Sequence, residues 1–411
     1  AVWRPARAGA AALLFGSVWL LAELARGIIF TGFPWLASGY AQVDGPLAAL
    51  APWTGVYGIG AVLAGLSAWP VWAARSERGW RGLRVPLGVV AVVLGSLALT
   101  GPGRLTEPTD ALRVALLQGN VPQDEKFTPK AMPQALAWTR TQLLNAPADL
   151  VVGPETVIPL LPDELDPVYW ASIVDHFRSG TQAALIGLPL GNDQVGYTNS
   201  AAGLSAATGP EPGGYYRYDK HHLVPFGEFV PYGFHWFTAL MNIPLGDFNR
   251  GPVGPPSFPF KGQRIAPNIC YEDLFGEELA ARFRDADKAP TLFANISNIG
   301  WFGDTAAIPQ HLQISRMRSL EFQLPMLRAT NTGATAVIEA DGRVSASLPS
   351  SVQAVLLADV QGRHGVTPYA WWAARAGLWP LAGLGLATVA AAARRGRRMQ
   401  PRRAGALRPR P

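Results

Sequence analysis

Cysteine is almost absent from this chain. Cys270 is the only one in 411 residues, so no intramolecular disulfide can staple the fold, and cysteine usage says nothing of the redox compartment. A Gly-rich phosphate loop of the Walker kind and a GxSxG elbow are also missing, which removes two common nucleotide-binding and serine-hydrolase patterns. Histidine, aspartate and glutamate gather nowhere at ligand spacing, so no metal and no cofactor is expected. No internal repeat stands out, and the low-complexity stretches are confined to the Gly/Pro-rich 249–258 and the C-terminal tail. Acidic residues are missing altogether from 391–411, which holds eight arginines; without those eight the formal charge of +6 becomes −2. A basic tail can be a nucleic-acid patch. Directly after an apolar segment it reads instead as a cytoplasmic anchor facing anionic lipid, and no nucleic-acid partner is expected. The chain opens Ala1-Val2-Trp3, without methionine or a signal-peptide cleavage pattern, so further sequence is expected upstream.

What is abundant is apolar and interfacial surface: 14 tryptophans and a mean hydropathy of +0.12. A bilayer-crossing helix needs roughly 20 mostly apolar residues. Four stretches approach that length, at about 8–25, 52–74, 83–100 and 376–393. Trp53 and Trp69/Trp72 frame the second, and Trp371, Trp372 and Trp379 accompany the fourth, as interfacial anchoring requires. Arg4 and Arg7 precede the first segment, Arg75, Arg78, Arg81 and Arg84 join the second to the third, and the arginine tail follows the fourth. With basic loops on the cytoplasmic side, loop 26–51 and the large polar region 101–370 fall outside. The expected division is transmembrane helices over 1–104, an extracytoplasmic domain over 105–367, a last transmembrane helix over 368–393 and a basic tail over 394–411.

Within the polar region, β-branched runs alternate with helical stretches. Strands are expected near 112–117, 149–152, 184–187, 264–266, 291–294 and 334–338, and helices near 129–145, 163–178, 273–286 and 308–323. This alternation favours an α/β or α-β-β-α layered fold. In such folds chemistry collects where strands end. Glu155 follows the strand at 150–152 and Cys270 the strand at 264–266, while Lys220 stands in Tyr218-Asp219-Lys220-His221-His222. A thiol, a glutamate and a lysine in this pattern suggest a nucleophile, a base and an oxyanion partner. A helix starting near Asp273 would lower the thiol pKa. From the residues alone, other readings stay open: a free cysteine is often a small buried hydrophobe, and His221 or His222 could pair with the thiol.

Several multi-residue motifs, in the same order, resemble the nitrilase superfamily, and within it the apolipoprotein N-acyltransferases of bacterial inner membranes. They are Phe30-Thr31-Gly32-Phe33-Pro34-Trp35, Gln118-Gly119-Asn120-Val121-Pro122-Gln123, Pro154-Glu155 and Leu223-Val224-Pro225-Phe226-Gly227-Glu228. Cys270-Tyr271-Glu272, Trp301-Phe302-Gly303-Asp304 and Arg328-Ala329-Thr330-Asn331 continue the series. The resemblance implies a nitrilase-like α-β-β-α sandwich plus a transmembrane helical part. It implies Glu155 as general base, Lys220 as oxyanion-stabilising cation and Cys270 as nucleophile, with Glu228 a supporting acid and Tyr271 and Glu272 holding the nucleophile's turn. Phe127 stands where that family commonly has tryptophan. Phe127, Phe229, Trp236, Phe237 and Trp301 are expected to contact lipid, with 226–237 an apolar arm on the outer leaflet. The implied reaction is acyl transfer from a phospholipid to a diacylglyceryl apolipoprotein, by a monomer needing no cofactor. A membrane-tethered amidase or nitrilase, or a non-catalytic scaffold, are the alternatives. That family has more crossings than the four seen, so additional helices are expected upstream.

Overall fold

The structure is a computed structural model that describes residues 8–74, 87–88, 90–91, 95, 104–123, 125–126, 128–209, 214–230, 248–303 and 305–398. The third expected membrane segment lies almost wholly outside the described residues. The chain separates into two units: one comprises Ala1–Leu50, Val56–Leu99 and Leu378–Pro411, the other Ala51–Gly55 and Thr100–Gly377.

Ala8–Arg26 and Pro46–Ala73 are each long and apolar enough to cross a membrane; Trp379–Arg395 meets the same test only when counted together with Pro368–Ala376. Small residues let the first two helices approach closely: a Cβ on Gly16 would lie 2.5 Å from Ala61 O, the kind of contact that drives helix association in lipid. The loop that follows is tied back by Glu23, whose Oε1 accepts from Ser38 N at 2.7 Å.

The second unit is built from strand runs apolar on both faces, the pattern of sheets covered on both sides. Among the described residues the first sheet contains β1 (Glu107–Gln118), β2 (Leu150–Val152), β3 (Ala183–Asn192), β4 (Gly196–Leu204) and β5 (Tyr216–Asp219). The second contains β6 (Phe258–Phe260), β7 (Gln263–Ile269), β8 (Leu292–Ser297), β9 (Met326–Thr330), β10 (Ala336–Ile338) and β11 (Val344–Ser347). The long β12 (Ala354–His364) returns to pair with β1, so the orders are β12-β1-β2-β3-β4-β5 and β11-β10-β9-β8-β7-β6. Parallel pairing is confined to the centres, β1-β2-β3 and β7-β8-β9.

The two-residue period of a strand decides the layers. Leu112, Val114 and Leu116 point between the sheets, against Ile265, Ile269 and Leu327. Ala115 and Leu117 point the other way, under the helices Met132–Asn145 and Pro167–Ser179 through Leu143, Ile173 and Phe177. Phe293 and Met326 do the same on the second sheet, under Ala307–Phe322 and Pro368–Ala376 through Phe322 and Tyr369. The result is the α-β-β-α sandwich. The helix expected over 368–393 is two helices: Pro368–Ala376 packs in this core, Gly377 (φ 53°) ends it, and Trp379–Arg398 is separate. The helix expected over 273–286 is likewise replaced, by a 3-10 turn Cys270–Leu274 and a five-residue helix Gly276–Ala280.

Candidate active site

The three residues selected from the sequence each stand just beyond a strand end: Glu155 three residues after β2, Lys220 directly after β5 and Cys270 directly after β7. The parallel register of β7 and β8 brings Ser297 and Asn298 beside the last of these. Lys220 is buried, and its Nζ donates to Glu155 Oε1 at 3.2 Å and to Glu228 Oε1 at 2.8 Å. Asn199 Nδ2 bridges the same two carboxylates, at 2.7 Å to each. The other Glu155 oxygen accepts from Asn298 N at 2.8 Å. Every carboxylate oxygen of Glu155 thus has a donor, which fixes its orientation.

Electrostatics follow from this packing. Burial pushes the Glu155 pKa up, but Lys220, the Asn199 hydrogen bond and Lys126 together outweigh it and hold the carboxyl below its ordinary value. Burial pulls the Lys220 ammonium down, and Glu155 and Glu228 more than reverse this, so it stays charged. Burial and then the Glu155 charge push the Cys270 thiol up to about 12, against the pull of Lys220 and of the neighbouring Ser297. The thiolate expected from a helix N-terminus is therefore not the resting form, since only a short 3-10 turn begins there. A base that receives the proton during attack is what such a thiol needs.

Cys270 has φ +51°, a left-handed conformation that costs a non-glycine residue on the order of 1–2 kcal/mol. Its surroundings hold it there. Glu272, buried, accepts from Ile269 N and Tyr218 OH on one oxygen, both at 2.6 Å, and from His221 N (2.6 Å) and His222 N (3.2 Å) on the other. One carboxylate thus joins the turn of Cys270 to the segment carrying Lys220. From behind, the Cys270 carbonyl accepts from Asn295 Nδ2 and His311 Nε2, each at 3.2 Å. Because Arg328 Nη2 donates to His311 Nδ1 at 2.6 Å, the imidazole proton sits on Nε2, which also faces Asp273 Oδ1 at 2.9 Å. Burial and Arg328 hold that imidazole neutral. Close approach matters once more at Gly187 on β3: a Cβ there would lie 2.3 Å from Pro154 O and 2.8 Å from Glu155 Cα.

The other expected residues fall as follows. Tyr271 is buried, its ring 5.4 Å from that of Phe275. Phe229 is half-buried, with the Arg250 guanidinium 4.6 Å above its ring. Trp301 lies on the 3-10 turn Ile299–Phe302, its side chain outside the described part. Phe127, Trp236 and Phe237, with most of the expected arm, lie outside the described residues. The two histidines left open as thiol partners are engaged in other contacts: His221 Nδ1 faces Gly251 O at 2.7 Å, and His222 Nδ1 faces Glu278 Oε1 at 2.9 Å with its ring stacked on Phe275.

Residues 113–369 match the carbon-nitrogen hydrolase family, and residues 1–69 the apolipoprotein N-acyltransferase N-terminal domain. Over 390 residues the chain is 56% identical to an apolipoprotein N-acyltransferase of Verminephrobacter eiseniae (strain EF01-2), covering 90% of this chain and 72% of that one. It belongs to the apolipoprotein N-acyltransferase family. A second relative of that name, from Ralstonia nicotianae, is 49% identical over 95% of this chain and 72% of its own length. A third, from Bordetella bronchiseptica, is 43% identical over 95% of this chain and 75% of its own.

In this family member the sequence reading missed four polar residues around Glu155: Lys126, Asn199, Asn298 and Asn331. Asn331 links the segment 120–121 to the site, donating to Val121 O (2.8 Å) and Asn298 Oδ1 (3.1 Å) and accepting from Val121 N (3.0 Å). The available signal was position: Asn298 and Asn331 directly follow β8 and β9, as Glu155 and Cys270 follow β2 and β7.

Proposed function

We propose that the protein N-acylates the N-terminal diacylglyceryl-cysteine of apolipoproteins with an acyl chain from a phospholipid, in two steps through a Cys270 thioester. The observation that carries this reading is the buried contact of 3.2 Å between Glu155 and Lys220 next to a thiol that feels both charges. Family membership and the apolar helices supply the context of a bacterial inner-membrane enzyme.

In the first step Glu155 accepts the thiol proton as Cys270 Sγ attacks the ester carbonyl, because a thiol held near 12 does not ionise beforehand. The ester C–O bond breaks, the proton passes to the leaving oxygen, and a lysophospholipid departs. In the second, the α-amine attacks the thioester carbonyl; Glu155 takes the amine's proton, the C–S bond breaks and the thiol is restored. Lys220 stabilises the oxyanion in both; losing one such donor typically costs roughly 10²–10³ in rate. Glu228 shares Lys220 with the base, and Glu272 and Tyr271 support the turn.

The arginine distribution supports an arrangement with 105–367 extracytoplasmic and Pro368–Ala376 packed on that domain, helices over 1–104 and 379–393 in the membrane, and 394–411 cytoplasmic. Phe127, Phe229, Trp236, Phe237 and Trp301 face acyl chains in this reading, and the protein acts as a monomer.

Initial rates test it. With phospholipid and a diacylglyceryl peptide both varied, double-reciprocal plots are expected to run parallel, as a shared acyl-enzyme requires. Intersecting lines, or release of ammonia from small amides without transfer to the peptide, would overturn it in favour of direct transfer or amidase chemistry.

A further inference from the structure

A second lysine lies on the far side of the base. Lys126 is 5% exposed, although lysine is almost never buried unless paired. Its Nζ donates to the backbone carbonyl of Glu155 at 3.3 Å. It also lines, with Glu155, Thr156, Thr139 and Asn331, a cavity of about 20 Å³, room for roughly one water. Thr156, next in the chain, has φ +48°, so the peptide that Lys126 grips precedes a left-handed residue.

Charge makes the placement informative. Facing Glu155 are Lys220 from the end of β5, Glu228 from the loop beyond it and Cys270 from the end of β7. Glu155 and Glu228 share one ammonium, Lys220, and so exceed it by one negative charge, which a second buried cation offsets. Glu272, which also feels Lys220, is held by Tyr218 and backbone donors. An uncompensated buried charge is costly and would drive a carboxylate to take up a proton.

We propose that Lys126 is the second buried cation of the site, a positioning residue that keeps Glu155 ionised and grips the base's own peptide. The inference rests on Glu155 being the base. Burial draws the Lys126 ammonium down to about 8, with Glu155 opposing. Its charge is therefore present at neutral pH and lost above about pH 8.

The test uses the full chain in lipid nanodiscs and the rate of Cys270 alkylation by iodoacetamide between pH 4 and 10, followed in parallel with acyl transfer. Glu155→Gln is expected to abolish the acid limb of the wild-type profile. Lys126→Met is expected to move that limb up by about one pH unit, a tenfold loss at a fixed acidic pH; Lys126→Arg is expected to restore it. If Lys126→Met only lowers the rate evenly at all pH values while Glu155→Gln abolishes the limb, Lys126 is merely structural and the proposal falls alone. If Glu155→Gln keeps the limb, this proposal and the assignment of the base fall together. Should Lys126→Met fail to fold, Lys126→Arg decides, because arginine stays charged throughout. Its profile is expected to lack the wild-type inflection near pH 8, and an unchanged inflection overturns the proposal.

Discussion

Glu272→Gln separates a carboxylate that organises the site from one that merely fills it. Glu272 receives four donors on two oxygens, from Ile269 N, Tyr218 OH, His221 N and His222 N. Glutamine keeps one oxygen and turns an NH2 toward the other pair. In the cheaper orientation the amide oxygen keeps His221 N and His222 N. The Tyr218 hydroxyl can then rotate to accept, and Ile269 N alone is left facing a donor. A buried donor without an acceptor costs about 1–3 kcal/mol, which for a domain of this size lowers Tm by roughly 2–12 °C. Ile269 is the residue before Cys270, so the thiol should also lose its aim, and a misplacement of about 1 Å can cost on the order of 10²-fold in rate. Thermal unfolding in detergent and single-turnover acylation by a phospholipid, on the same preparations, check both. Glu272→Gln with wild-type Tm would refute the hydrogen-bond accounting. A lowered Tm with an unchanged acylation rate would refute the claim that this carboxylate positions the nucleophile.

Other perturbations follow from the same geometry. Lys220→Met removes the cation between Glu155 and Glu228; breaking a buried pair this way destabilises by about 3–5 kcal/mol, and acylation should fall by roughly 10²–10³, as denaturant melts and single-turnover rates would report. Gly187→Ala forces a Cβ to within 2.3 Å of Pro154 O, so it should lower kcat by about tenfold or more, whereas Gly203→Ala on neighbouring β4, which meets only the Phe258 ring, should leave kcat near wild type. Glu277 has its pKa raised to about 7 by burial and by Glu278. Between its unfolded value near 4.3 and about 7, the unfolded chain ionises and the folded one does not, so stability falls as pH rises through that window. The Tm gain of Glu277→Gln over wild type should therefore grow from pH 4.5 to 7 and then level off; a gain that shrinks over that range contradicts the burial argument.

The strands that lead to Glu155 and Asn298 were legible because Leu150-Val151-Val152 and Leu292-Phe293-Ala294 are apolar runs of the right length, and so was the layering they imply. β4 was not: Gly196-Tyr197-Thr198-Asn199-Ser200-Ala201-Ala202 carries no β-branched run, and it forms a strand because β3 pairs along its whole length. Asn199, which bridges two carboxylates of the site, went unread for that reason. The helix expected from Asp273 onward failed because Glu272 and Asp273 are drawn into buried networks with Tyr218 and His311, contacts 54 and 38 residues apart that no local pattern reveals. Lys126 is the same kind of omission, a charged residue in a polar segment that only the tertiary fold buries.

The central claim is that Cys270 carries the acyl group. Mass spectrometry of the purified full chain after incubation with phospholipid alone tests it most directly. The account predicts an acyl mass increment on the peptide containing Cys270, removed by hydroxylamine or by a diacylglyceryl peptide with a free amine, and absent from Cys270→Ala. No increment on an enzyme shown to transfer acyl chains, or an increment that persists in Cys270→Ala, would contradict it.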